Sequence, residues 1–171
     1  LPGRGGYVEN VWFQDIAMDR IAGAAIHMTF RYSKPDSLTR TQPRFRNIQI
    51  SRVTCSEAKQ AVEIQGLADN YIEDVCLEDV RIGARRGISA EYVRGLRLKR
   101  VELNGVSSPM VRLLAGQQID IRDCVCPPGI DVFLRLEGAA TRDVRLSGLD
   151  LAHARQAVER ADGASPGAVL K

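Results

Sequence analysis

Apolar residues along this chain recur in one six-residue phrase, with inward-type side chains at its first, third and sixth positions and mostly polar residues between them. It reads Val11-x-Phe13-x-x-Ile16, Ile48-x-Ile50-x-x-Val53 and Val75-x-Leu77-x-x-Val80, then Leu96-x-Leu98-x-x-Val101, Ile119-x-Ile121-x-x-Cys124 and Val144-x-Leu146-x-x-Leu149. After a short gap each phrase is followed by a second apolar stretch: Ala25-Ile26, Ala61-Val62-Glu63-Ile64, Gly87-Ile88, Met110-Val111-Arg112-Leu113, Val132-Phe133-Leu134 and Ala157-Val158. Alternation of period two within the phrase predicts two short strands per unit, each with one face inward. The anchors Val11, Ile48, Val75, Leu96, Ile119 and Val144 are separated by steps of 37, 27, 21, 23 and 25 residues. Such steps suit a stacked repeat in which each unit buries its face against its neighbours. The leucine-rich-repeat line is absent, and Asn104-Gly105 is the only Asn-Gly hairpin signal, which argues against a Greek-key sandwich. The expectation is an all-β, right-handed parallel β-helix of about six coils, one domain over residues 1–171, open at its N-terminal end. Ile50 and Leu77 take inward slots in this register and Gln49 an outward one.

The long first step comes from an insertion, RYSKPDSLTRTQPR at 31–44, whose Pro, Ser, Thr and Asp content marks a loop. Arg31, Lys34, Arg40, Arg44, Arg46 and Arg52 against Asp36 give this region a local +5, more than the whole chain's +3. It reads either as a solvated basic loop or as a docking surface for a polyanion. Aromatic residues make up only 5% of the chain and do not interleave with the cations, so nucleic acid is a poor partner. No apolar run approaches the roughly 18 residues of a membrane helix, and a membrane role is not expected. Of the four cysteines, Cys124 fills an inward slot, where a free thiol packs as a small hydrophobe. Cys124-x-Cys126 lacks the further ligands a metal would need, so neither metal nor other cofactor is expected. The chain opens on a glycine-rich turn without Met, which suggests a cut point in a longer helix. A first coil left open in this way exposes strand edges, so association with a missing N-terminal half, or self-association through that end, is expected.

The run GRGGYVENVWFQDI resembles the strand that follows the catalytic centre in glycoside hydrolase family 28, the polygalacturonases and their rhamnogalacturonan-cleaving relatives. The tail, DVFLRLEGAATRDVRLSGLDLAHARQAVE with its closing PGAV, resembles the last coils of bacterial members. The resemblance covers essentially the whole chain but only the C-terminal part of a full-length member. It implies a secreted or periplasmic β-helix acting on an acidic, galacturonan-type polysaccharide with inversion, where two carboxyl groups face each other across the scissile bond. The motifs that carry this chemistry in the family, Asn-Thr-Asp, Asp-Asp and Gly-His-Gly, do not occur here. Arg97-Leu98-Lys99 imitates the family's Arg-Ile-Lys in the wrong coil and reads as the outward face of an ordinary strand. No catalytic residue is therefore assigned, and the polypeptide by itself is expected to hydrolyse nothing. The resemblance implies a substrate contact at Tyr32, at the end of a second strand, and a weaker one at Arg4 in the glycine-rich turn. A non-catalytic carbohydrate-binding or structural β-helix is the alternative.

Overall fold

The computed structural model describes residues 5–31 and 41–170. The order is β1 (Tyr7–Thr29), β2 (Arg44–Gln65), β3 (Ile72–Glu91), β4 (Val93–Arg94), β5 (Arg97–Asn104), β6 (Ser107–Leu114), β7 (Gln117–Arg122), β8 (Val132–Glu137), β9 (Arg142–Ser147), β10 (Gln156–Ala161), and a 3-10 turn, Pro166–Ala168. Every pairing between these strands is parallel. The one antiparallel bridge among the described residues, Leu67 with Asn70, closes a local turn. The chain is a right-handed parallel β-helix, the hand that parallel crossovers almost always take.

The sequence register holds. Phe13, Ile50, Leu77, Leu98, Ile121 and Leu146 stack in one column, and Ile16, Val53, Val80 and Val101 in the next. The second apolar stretches form a column of their own: Ile26, Val62, Ile88, Val111, Leu134 and Val158. Six tiers of the phrase are thus joined by five turns. Inside the tube the aliphatic side chains are closed off from water from Ile48 to Val144, with Cys124 among them, and Leu146 and Val158 in the last tier are partly covered. Each such side chain contributes roughly 1.5–3 kcal/mol relative to exposure.

The two polar residues between the third and sixth positions have a backbone cause. Strict alternation would point the sixth side chain outward. Instead, the fifth position takes a left-handed conformation in all six tiers: Asp15, Arg52, Asp79, Arg100, Asp123 and Gly148, with φ from 51° to 59°. That residue turns the corner and returns the sixth side chain to the interior. A second corner precedes each phrase, at Asn10, Asn47, Asp74, Gly95, Gln118 and Asp143, again with φ positive. Asn, Asp and Gly tolerate this region best, and they fill nine of these twelve places.

The structure departs from the sequence expectation in one respect. Instead of two short strands per unit, β1, β2 and β3 run through their corners as single ladders of 23, 22 and 20 residues. Backbone bonding continues on both sides of each left-handed residue, so a third short face forms, where Ile16-Ala17-Met18 lies on Val53-Thr54-Cys55 and that on Val80-Arg81-Ile82. At the far end the tail folds back: Val169 bridges Val144, and the Leu170 amide donates to the Val144 carbonyl at 2.8 Å. At the near end β1 pairs with β2 alone.

Candidate functional site

Stacking applies to polar positions as well as apolar ones, so side chains distant in sequence line up on the outer faces. The outer face of the first sheet carries the columns Trp12–Gln49–Cys76–Arg97–Asp120–Arg145 and Gln14–Ser51–Glu78–Lys99–Arg122–Ser147. Near its β1 end lies an open cleft of 420 Å³ lined by Trp12, Gln14, Asn47, Gln49, Ser51 and Glu78, among others. Trp12 is 58% exposed because it occupies the second, outward position of its phrase. The amides beside it are held in a chain: Gln49 donates to the Asn47 side-chain oxygen at 3.0 Å, and Asn47 donates to Asn10 at 2.8 Å. Further along, Lys99 reaches Glu78 at 2.8 Å and Arg122 pairs with Asp120. Arg97 and Arg145 stand in the same outward column and make no ion pair among the described residues.

The edges of this face are lined by alternating charge. At the fifth-position corner the order is Asp15, Arg52, Asp79, Arg100, Asp123. Arg52 grips Asp15 with two bonds of 2.6 and 2.8 Å, and Arg100 grips Asp79 with two of the same lengths. Forked pairing of this kind is the guanidinium's particular strength. Arg52 holds the Asp15 carboxyl below its ordinary range, chiefly through the hydrogen bonds. Arg100 does the same to Asp79, while Lys99 and then Arg100 depress Glu78. A second ladder runs Glu9, Arg46, Glu73, Arg94, Gln117, Arg142. Identical residues stacked at strand spacing would repel if charged; alternation of sign turns the same proximity into attraction.

Searches among family models, curated proteins and solved structures found no match to this chain. The chemistry is therefore read from the residues.

Tyr32 and Arg4 lie outside the described residues, as does most of the basic insertion. The described cations of that region all lie near a carboxylate: Arg31 at 2.9 Å from Glu91, Arg52 at 2.6 Å from Asp15, and Arg44 and Arg46 at 3.7 and 3.5 Å from the one Glu9. Their positive charge is thus largely matched within the fold. Arg97 and Lys99 do point outward from β5, as the alternation requires. Sequence reading missed Trp12 as a surface feature, although an aromatic in an outward slot of the phrase was the available signal. Glu78 and Asp79 form the adjacent acidic pair on this face, but both are held ionised by cations. A general acid requires the opposite, a carboxyl whose proton is retained near neutrality. His27 faces Glu63 at 3.5 Å across the β1–β2 pairing.

Proposed function

We propose that this chain is the C-terminal β-helix portion of a protein acting on acidic, galacturonan-type polysaccharide, and that it binds the polymer without transferring protons to it. The observation that carries this reading is the outer face with Trp12 and its hydrogen-bonded amides at one end and, along the same column, Arg97 and Arg145, which make no ion pair among the described residues. A tryptophan ring offers an apolar platform for a sugar face, and ordered amides supply directional hydrogen bonds to hydroxyls. Guanidinium groups recognise carboxylates at intervals along an extended chain. An open face that runs across the stacked tiers suits a polymer better than a small molecule, which favours an enclosed pocket. By resemblance, Tyr32 and Arg4, which lie outside the described residues, also contact the polymer, and the setting is secreted or periplasmic. The depressed carboxyls of Glu78 and Asp79 favour the non-catalytic alternative wherever this chain acts without additional coils.

Electrophoresis through gels containing polygalacturonate tests the reading. Retardation is expected, with Trp12→Ala and the double variant Arg97→Ala/Arg145→Ala each weakening apparent affinity by about tenfold, equivalent to about 1.4 kcal/mol. Reducing ends should not accumulate in the same incubation. Equal mobility in polygalacturonate and in a neutral galactan would overturn the assignment of an acidic polymer. Hydrolysis well above a Trp12→Ala control would overturn the binding-only role.

A further inference from the structure

The solenoid's two ends are finished differently. At the β9 end the returning tail pairs with Val144 and buries its own Ala168 against the core. At the β1 end the core is open among the described residues. Phe13, an inward residue of its phrase, is 46% exposed, and a 320 Å³ apolar cavity opens there, lined by Val8, Phe13, Ile16, Met18, Ile26 and Met28, among others. The free edge of β1 is unpaired among the described residues.

Charge on this end is also patterned. One alternating ladder ends upward at Glu9, above Arg46, Glu73 and Arg94; the other ends at Asp15, above Arg52, Asp79 and Arg100. Both therefore stop on a carboxylate. Oε1 of Glu9 is enclosed and accepts no hydrogen bond among the described residues, with Arg44 and Arg46 standing off at 3.7 and 3.5 Å.

We propose that the open end seats one further coil of the same solenoid, parallel to β1, with aliphatic side chains over Val11, Phe13 and Ile16 and a cation over each of Glu9 and Asp15. The apolar requirement follows from the cavity, whose walls are the unfinished top of the core columns. The cations follow from alternation, because an acidic residue in either place would stack like charges about 4.8 Å apart. β2 shows what such a coil is, since it meets the same two residues from below with Arg46 and Arg52. A second copy of this chain fits poorly. Two β1 edges related by a twofold axis run antiparallel. Centring them on Trp12, which keeps the inward residues Val11 and Phe13 opposite one another, sets Glu9 against Asp15 of the other copy.

An extended chain tests this directly: a duplicate of residues 41–71 joined to Val8 in place of residues 1–7, the splice by which β2 passes into β3. The extension is expected to raise the melting temperature by more than about 5 °C and to abolish fluorescence enhancement of 8-anilinonaphthalene-1-sulfonate at the open end. Changing the duplicate's two ladder arginines to Glu should remove at least half of the thermal gain. Equal stabilisation by the charge-reversed duplicate would overturn the cation rule. No effect from either duplicate would overturn the docking site, as would a dimer in light scattering of the unextended chain with the amides of β1's free edge protected from exchange. If the duplicate fails to fold, the unextended chain still decides: weak dye binding with those edge amides protected in the monomer overturns the proposal, and strong dye binding with fast exchange supports it. None of these readouts depends on polysaccharide binding, so the two proposals fail separately.

Discussion

Leu77 and Gln49 illustrate how little distance separates a critical residue from an indifferent one. Leu77 stands in the middle of the inward column, under Ile50 and over Leu98, and is fully closed from water. A carboxylate in its place would have no partner, and the aliphatic contacts on both sides would be lost. Leu77→Asp is expected to cost more than about 4 kcal/mol, or to prevent folding, because an unpaired buried charge is among the most destabilising changes known. Gln49 lies on the adjacent strand one position outward, so Gln49→Lys should stay within about 0.5 kcal/mol of the parent. Urea unfolding of the two variants checks the pair; similar losses from both would contradict the observed register. The inward members of each phrase were legible in the sequence because burial selects apolar chemistry on alternate residues, and the pattern repeats six times. Trp12 was not legible as a surface feature in the same way, since its type alone suggests burial; only its parity in the phrase places it outside.

Each coil is held in shape by its corners and by the close approach of neighbouring backbones. The paired left-handed positions explain why the six-residue phrase has its uneven spacing, and why polar residues with short side chains recur there. They also explain why β1, β2 and β3 are continuous ladders, which no count of apolar residues revealed. Gly87 marks a place where one coil leans on another: a Cβ there would lie 1.9 Å from the Met110 carbonyl oxygen. That oxygen belongs to backbone in the next tier and cannot swing aside. Gly87→Ala is therefore expected to cost more than about 2 kcal/mol, against the few tenths by which a Gly→Ala change often stabilises an open site. Chemical denaturation with the slope held constant measures it; a stabilised variant would show that the two tiers are not in contact there. The glycine's identity was visible in sequence, but its neighbour was not, because Met110 lies 23 residues further along.

Over the whole molecule the outward charges act as ladders that tie every tier to the next. Asp15, Glu78 and Asp79 all have carboxyls depressed by the cations that hold them. A group whose folded-state pKa is lowered favours the folded chain in its ionised form. Its contribution is complete above the ordinary carboxylate range, near 4, and is lost as pH falls through the depressed folded values. Melting temperature should thus be flat from about pH 7 to pH 5 and fall steeply below about pH 4. Arg100→Gln should lessen that fall, since it releases Asp79 and leaves Glu78 to Lys99 alone. High salt should blunt the same effect, as the ladders are exposed and screened. A native-like acid slope in Arg100→Gln would show that these pairs contribute nothing to the acid response.

Sequence alone determined the number of tiers, the inward columns and the parallel stacking. All of these depend on which residues prefer water, a property each residue carries with it in any context. Tertiary structure decided which charges meet, where the corners bend, and that two ladders stop on carboxylates at the β1 end. Those depend on contacts between residues a full coil apart, and coils of unequal length hide such partners until the chain has wound and set its register.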